Sequence, residues 1–503
     1  MLAQLAAFAW ETPQLDLHAL APELIVVGVL SLVLIVDAFT DESGRWLSST
    51  IAGIGLLVAA IPLVTLAMDG TDRVMFGGAY VVDDFALVLK ALFLASAYVV
   101  VLLSTNYIAE GDYWEGEYYQ VLLGSVVGML VMASSRDLVT MFVALEMLSI
   151  PAYTLAAWRK RDSKGNEAGL KYYLMGVFAS AILLYGMSLL FGLTGTTVLA
   201  EIGEVVGGAA DTQPIVTLAI VFVIIGFAFK VSAVPFHTWA PDTYEGAPTP
   251  ITAFLAVASK AAGFVALLQL VFIALYGRED VYGPLIWVLA AVTMTVGNLI
   301  ALRQTNVVRM LAYSGIAQAG YILAPLAIAG TGGDVGLTSL QAIVVYLLIY
   351  AAMNLGAFAV VIAVARKTRS AELSSFGGLF SYAPALTVCM TLFLFALAGI
   401  PPAAGWFGKL EIFRALASAG NFSGYSLAVL VAVNSVVAFA YYGRLMRVMW
   451  MDDAPDGDVT PIRVPPSLVA AVSITAVLTL AVGVFPRAFT HFTESVTLLG
   501  LGG

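Results

Sequence analysis

Apolar stretches of about twenty residues recur along the chain between short polar or Gly/Pro-rich interruptions, and a helix of that length crosses a hydrocarbon core about 30 Å thick. They fall at roughly 20–38, 46–67, 84–105, 117–134, 137–157, 172–193, 215–234, 250–275, 282–301, 307–328, 338–365, 384–400 continuing to 418, 424–448 and 466–485. The pattern predicts an all-α polytopic membrane protein with about 14 transmembrane helices. Composition agrees: 61% of residues are hydrophobic and 11% charged, where soluble domains carry about 25% charged residues. Within 503 residues little length remains for a soluble domain. The start, "MLAQLAAFAWETPQ", has no basic segment and carries Glu11 before any long apolar core, so no cleaved signal peptide is expected.

Basic residues divide unevenly between the two sets of loops. One set holds Arg45, Arg159, Lys160, Arg161, Lys164, Lys171, Arg303, Arg309, Arg366, Lys367, Arg369, Arg444, Arg447 and Arg463; the other holds Arg73, Arg136 and Arg278. The positive-inside rule then puts both termini on the outer side. A miscounted helix would mix the two sets, so the asymmetry supports the count.

Several chemistries are excluded. Cys389 is the one cysteine and the histidines are His18, His237 and His491, which gives no metal-ligand spacing and no disulfide pair. No dinucleotide fingerprint or phosphate-cradling loop is present. The formal charge of −10 lies largely in loops such as "EGDYWEGE" (110–117) and "MDDAPDGD" (451–458), and nucleic acid is not an expected partner.

Charged residues inside the apolar runs carry the functional signal, because a lysine at mid-membrane costs about 2.5–3.5 kcal/mol on insertion scales. Lys90, Arg414 and Arg487 lie near helix ends and are expected to snorkel to the interface. Lys260 has about ten mostly apolar residues on each side and must face the bundle interior. Lys230 and Lys409 flank expected helix breaks, with Pro235 after the first and Pro401, Pro402 and Gly405 before the second. These breaks are about 170 residues apart, which suggests five-helix units at 117–275 and 282–448, the second inverted relative to the first. A three-helix segment, 1–110, would precede them, and a C-terminal helix and tail, 466–503, would follow.

Glu146, inside "MFVALEMLSIPAY", is the expected counter-charge for Lys230. A switchable carboxylate and lysine can load and release a proton; a static buried pair fixing helix packing is the competing reading. His237 is a candidate relay between Lys230 and Lys260. Asp242, Tyr244 and Glu245 occupy a turn-rich connection and are expected to cap the next helix, with a proton exit as the competing reading. Glu167 and Lys171 are spaced as a surface pair. Thr305, Asn306, Tyr313, Ser314 and Gln318 are candidates to line a hydrated path, or to hold helices together.

The stretches "FKVSAVPFHTWAPDTYEGAPTPITAFLAVASKAAGF" (229–264) and "LAGIPPAAGWFGKLEIF" (397–413) resemble the antiporter-like N-type subunits of respiratory complex I, the proton-pumping NADH:quinone oxidoreductase. "EAGLKYYLMGVFASAILLYGMSLLFGLTGTT" (167–197) and "NVVRMLAYSGIAQAGY" (306–321) extend the resemblance over roughly residues 80–450. It implies fourteen helices with two inverted five-helix repeats, broken seventh and twelfth helices, and a central hydrophilic axis. Glu146 would be the carboxylate of the fifth helix, and Lys230, Lys260 and Lys409 the lysines of the seventh, eighth and twelfth. It also implies a bacterial inner-membrane location beside other complex I membrane subunits. FMN, iron–sulfur clusters and quinone would sit in partner subunits, with no cofactor in this chain.

Val308 and Gln318 stand where related chains often carry a lysine and a histidine, so a charged relay through the tenth helix is not expected. Lys409, where the M type tends to carry glutamate, and the lack of a long lateral helix favour the N type. Two other functions compete. A cation/proton antiporter subunit of the Mrp type would show sodium dependence, and a structural membrane spacer would pump normally after Lys230→Met.

Overall fold

Each apolar run folds as a helix, because in lipid only a helix satisfies its own backbone within one segment. The structure, a computed structural model, describes residues 15–41, 44, 46–111, 115–208, 214–331, 334–487 and 496–498. The expectations for the amino-terminal start with Glu11, for Arg45 and for His491 concern positions outside the described residues. The helices are α1 (Ala21–Ala38), α2 (Trp46–Asp69), α3 (Asp84–Ala109), α4 (Glu115–Ser134), α5 (Leu138–Ala156), α6 (Ser163–Thr194), α7a (Pro214–Lys230) and α7b (Trp239–Gly246). They continue as α8 (Thr249–Ala274), α9 (Glu279–Ala301), α10 (Val307–Leu326), α11 (Val335–Thr368), α12a (Pro384–Ala398), α12b (Ala404–Ser418), α13 (Phe422–Met451) and α14 (Pro466–Val484).

Among the described residues twelve helices are long and apolar enough to cross a membrane. The apolar helices α7a and α12a are shorter, and each resumes after a break as α7b or α12b. A two-stranded antiparallel hairpin, β1 (Arg73–Met75) and β2 (Tyr80–Val82), joins α2 to α3.

Polar side chains mark where helices begin. Asp83 accepts from the Ala86 amide, Asp137 from that of Thr140, and Asn306 from those of Val308 and Arg309, meeting donors that the first helical turn leaves unpaired. α8 is buried along its whole length, with α10 and α11 nearly so. α6 and α13 turn large apolar side chains outward, among them Phe178, Tyr185, Val429 and Val436, as lipid contact requires. Glycines let pairs of helices approach closely. A Cβ on Gly128 of α4 would lie 2.5 Å from the Leu148 amide of α5, and one on Gly320 of α10 would lie 2.4 Å from that of Met294 in α9.

The two breaks are enclosed by protein, and side chains satisfy the backbone there. At the first, Trp239 Nε1 donates to the Phe229 carbonyl (3.1 Å) and the Val234 amide donates to Thr293 of α9 (2.9 Å). At the second, Gly399 adopts φ +87° and ends α12a. The carbonyls of Leu397 and Ala398, at the buried end of α12a, accept from Gln318 Nε2 (3.1 Å) and Lys409 Nζ (2.8 Å). α8 is wound as π-helix at Leu255–Ser259 and Leu270–Ala274, which places Lys260 directly after the first of these segments.

Candidate functional site

Lys230, Lys260 and Lys409 are all 4% exposed or less. Lys230 is the last residue of α7a, and its stem lies against α8 where Gly263 leaves room: a Cβ there would come within 3.0 Å of Lys230 Cγ. Its amine donates to Ser149 Oγ (2.8 Å) and lies 3.4 Å from the Tyr172 hydroxyl. Lys260 donates to the Gly315 carbonyl of α10 (2.7 Å). A Cβ at Gly315 would lie 2.8 Å from the Tyr350 hydroxyl and 3.3 Å from Lys260 Nζ, so glycine is what leaves room for both groups here. Lys409 reaches from α12b back across the break to the Ala398 carbonyl, bonds Ser435 Oγ (3.0 Å) and lies over the Tyr321 ring. Among the described residues no carboxylate is in salt-bridge contact with any of these three lysines.

Glu146 is half-buried and its carboxylate accepts from Ser180 of α6 (2.6 Å), not from Lys230. Ser149, three residues further along α5, makes the lysine contact instead. Glu146 therefore lies about one helical turn away, near enough to act electrostatically on Lys230 without bonding it. His237 is edge-on to Tyr313, with ring centroids 6.5 Å apart, and hydrogen-bonds to neither Lys230 nor Lys260.

Hydroxyl and amide groups fill the intervals between the lysines. Tyr172 lies between Lys230 and Ser259, the residue before Lys260. Next to Gly315, Ser314 is hydrogen-bonded to Tyr442 (2.5 Å). Gln318 donates toward Tyr442 (3.4 Å) and to the Leu397 carbonyl, and accepts from Tyr346 (2.5 Å). Its neighbour carbonyl, Ala398, is the one that Lys409 holds. The result is a buried polar row from α5 to α13 in which Gln318 is fully bonded. Ser314 and Gln318 were recognisable as buried polar residues in an apolar run. Ser149, Tyr172, Tyr350 and Ser435 were not, since serines and tyrosines are common in membrane helices.

Several charged residues sit otherwise than the sequence suggests. Lys90 does not snorkel: it is fully buried, paired with Glu23 of α1 (2.8 Å) and bonded to Tyr80 of β2 (2.9 Å). The α2–α3 connection folds inward as a hairpin and brings Tyr80 to it. Glu23 gave no sequence signal, because an acid in the first turn of a helix is ordinary. Arg136, read as a loop residue, is buried against Asp83 (2.7 Å). Asp242 and Glu245 do not cap α8. Asp242 pairs with Lys171 (2.8 Å) and Arg309 (2.9 Å), and Glu245 with Lys164 (3.1 Å) and Arg309 (2.8 Å). Glu167 and Lys171 form the expected pair at 2.6 Å, and Arg414 pairs with Glu411 at 2.5 Å.

The family model described as "NADH:quinone oxidoreductase/Mrp antiporter, TM" matches residues 135–437, which contain Glu146 and all three lysines. The chain is 38% identical over 490 residues to NADH-quinone oxidoreductase subunit N of Trichlorobacter lovleyi, covering 96% of this chain and 98% of the relative. A chain in the structure of respiratory complex I from Thermus thermophilus superposes with a TM-score of 0.78 at 33% identity, over 95% of this chain and 100% of that one. A chain of the Mrp complex from Dietzia sp. DQ12-45-1b superposes with a TM-score of 0.83 at 22% identity, over 96% and 97% of the two chains, a likeness of fold alone. With the family model spanning more than half its length and subunit N relatives aligning nearly end to end, the chain belongs to the NADH:quinone oxidoreductase/Mrp antiporter family of membrane subunits.

Proposed function

We propose that the chain is the antiporter-like N subunit of a proton-pumping NADH:quinone oxidoreductase, and that it acts there as a translocase element moving protons along Glu146, Lys230, Lys260 and Lys409. One observation carries this reading: three buried lysines are held only by hydroxyls and helix carbonyls, with further buried hydroxyl and amide groups in the intervals between them. A lysine so held can release its proton without stranding a buried carboxylate. Glu146, one turn from the contact, biases Lys230 without clamping it. In this mechanism Glu146 sets the proton affinity of Lys230, the proton shifts to Lys260, and Lys409 releases it toward the outer side. The row between Lys260 and Lys409 runs through hydroxyls and the Gln318 amide and needs no charged group on α10.

Residues 117–275 and 282–448 are read as two inverted five-helix units. Each opens with a closely packed pair, α4 with α5 and α9 with α10, and each has a broken fourth helix with a buried lysine at the break. The excess of basic residues in one set of loops supports a reading with both termini on the outer side of a bacterial inner membrane. Electrons would pass from NADH through FMN and iron–sulfur centres to quinone in partner subunits, and neighbouring membrane subunits would contact this one.

The test is the assembled complex in sealed vesicles, with NADH oxidation and proton uptake recorded together. Lys230→Ala, Lys260→Ala and Lys409→Ala are expected to lower the protons moved per NADH; full pumping in all three would overturn the mechanism. Absence of the chain from the NADH-oxidising band of a native gel, together with sodium-dependent transport, would favour the Mrp-type reading instead.

A further inference from the structure

Lys230 and Lys409 stand in cradles of the same make. Each amine bonds a serine hydroxyl, Ser149 at 2.8 Å and Ser435 at 3.0 Å, and lies over a tyrosine ring, Tyr172 at 5.8 Å and Tyr321 at 4.9 Å from the centroid. A ring face attracts a cation at such distances. What borders the two cradles differs. Glu146 lies about one helical turn from Ser149, whereas the residue before Ser435 is Asn434, and it is paired with Asn298 of α9.

The amide pair reaches Lys409 through Tyr321 and Ser435. Asn298 is fully buried and Asn434 is 4% exposed. Asn298 Nδ2 donates to the Tyr321 hydroxyl (2.9 Å) and to Asn434 Oδ1 (3.2 Å), while its Oδ1 accepts from Tyr441 (2.9 Å). Asn434 Nδ2 donates to Thr295 of α9 (3.2 Å) and to the Leu430 carbonyl (3.0 Å). The Tyr321 hydroxyl is thereby fixed beside Ser435, and the ring beneath the amine cannot swing away without breaking the bond to Asn298. Such amides also hold membrane helices together, and this pair joins α9 to α13; its further consequence lies at Lys409. Glu411, two residues along α12b, is paired with Arg414 (2.5 Å). The other titratable groups packed around Lys409 are phenols: Tyr321 from α10, Tyr346 from α11 against Gly408, and Tyr441 and Tyr442 from α13. α9 carries titratable groups only in its first turn, Glu279 to Tyr282, α14 carries none, and α12a has only Cys389, more than two turns before Ala398.

We propose that Asn298 and Asn434 are positioning residues for Lys409: they take the place beside its cradle that Glu146 takes beside that of Lys230, and hold Tyr321 and Ser435 around the amine without adding a charge. Lys230 is then biased by a carboxylate and Lys409 by dipoles alone. A carboxylate favours an ammonium more than an amide does, so the uncharged pair suits the end of the row where the proton leaves. The inference rests on the proposed role of the lysines.

The test uses the intact complex in vesicles, with protons moved per NADH followed as a function of pH and expressed per assembled complex. Asn298→Leu removes the bond to Tyr321. It is expected to lower pumping about tenfold and to displace the pH profile of pumping to the acid side, because a cradle that has lost its orientation holds the ammonium less well. Asn298→Asp accepts from both Tyr321 and Tyr441 and places a carboxylate one phenol from Lys409; its profile is expected to move about one unit to the alkaline side. Tyr321→Phe, which keeps the ring and removes the hydroxyl that Asn298 holds, should reproduce the Asn298→Leu profile, and the two together should add little, as for residues acting through one contact. A purely structural role would lower the amount of assembled complex and leave the profile of what assembles in place. Unmoved profiles in Asn298→Asp and Tyr321→Phe overturn the proposal, as do displacements of Asn298→Leu and Asn298→Asp in the same direction; where Asn298→Leu does not assemble, the other two variants decide. If Lys409→Ala pumps fully, the axis reading itself fails. If it loses pumping while the Asn298 variants keep the unchanged profile, only the positioning by the amide pair fails.

Discussion

The protein buries four lysines in two different settings. Lys90 is locked to Glu23 (2.8 Å), with Tyr80 bonded to both, and beside it Arg136 is locked to Asp83 (2.7 Å). Lys230, Lys260 and Lys409 are as deeply buried but hold hydroxyls and carbonyls instead. In the first setting a carboxylate compensates each buried cation, so moving a proton would strand a charge on one side or the other. In the second, the negative ends of helices and polar side chains do the compensating: Lys409 bonds a C-terminal carbonyl of α12a, and Lys230 is itself the last residue of α7a. On the proposed mechanism, burial does not by itself mark a transport lysine; the partner does. The first cluster fastens α1 and the β1–β2 hairpin to α3 and α4, while the second is the set that the proposed mechanism requires to change charge.

The sharpest way to break this contrast is to remove one member of the paired cluster. Lys90→Met would leave Glu23 buried and uncompensated, a loss of about 3–5 kcal/mol, and is expected to reduce assembled complex sharply. Lys90→Met combined with Glu23→Met should recover most of it. Yield of intact complex on a native gel and its thermal midpoint in detergent are the measurements; equal stability of the single and double variants would refute the pairing argument. The reverse experiment turns the second setting into the first. Ser149→Asp would place a carboxylate where Lys230 now meets a hydroxyl at 2.8 Å. Assembly is expected to survive while proton pumping falls about tenfold, which needs only about 1.4 kcal/mol on a transfer step. Unchanged pumping would mean that a fixed pair on Lys230 is compatible with transport.

The lysines of the row were visible in the sequence because a charge in an apolar run has few explanations, and the breaks because proline and glycine interrupt helices locally. Lys90 was misread for a related reason. Its distance from the helix start permits snorkelling, and only the hairpin, whose short strands carry no strong pattern, reveals that Tyr80 and Glu23 enclose it. Glu146 was legible as a buried acid, but whether it touches Lys230 depends on the rotation of α5 against α6, and Ser180 decides that. Asp242 and Glu245 looked like helix caps from their local spacing, whereas their partners Lys164, Lys171 and Arg309 come from α6 and α10, far away in sequence.

A smaller effect is expected at Gln318, which supplies the uncharged middle of the row. Gln318→Leu removes its bonds to Tyr346, Tyr442 and the Leu397 carbonyl and leaves buried groups unpaired, a loss of about 1–3 kcal/mol. Proton pumping should fall while yield of complex stays close to normal. Gln318→Glu, which keeps the acceptor, should lose less; a larger loss than Gln318→Leu would show that a charge on α10 blocks the row.

The smallest effect belongs to a third kind of ion pair, outside the membrane. Asp458, in the loop between α13 and α14, lies 3.3 Å from Lys367. Hydrogen bonds from the Thr460 hydroxyl and amide, helped by Lys367, hold its carboxyl down at about 2. A depressed carboxylate contributes to stability above its ordinary value of about 3.9 and loses that contribution as pH falls through about 2. Between pH 5 and 8 its charge is constant, so this pair can neither switch nor relay within the working range. Protease cleavage of the 452–465 segment should accordingly proceed at one rate across pH 5–8, apart from the pH dependence of the protease measured on an unfolded substrate. A rate that changes across that range would require another titrating group to anchor the loop. Asp458→Asn, which removes the charge and keeps an acceptor for Thr460, would separate the two: cleavage should rise only slightly, because water screens an exposed pair that the bilayer interior would not.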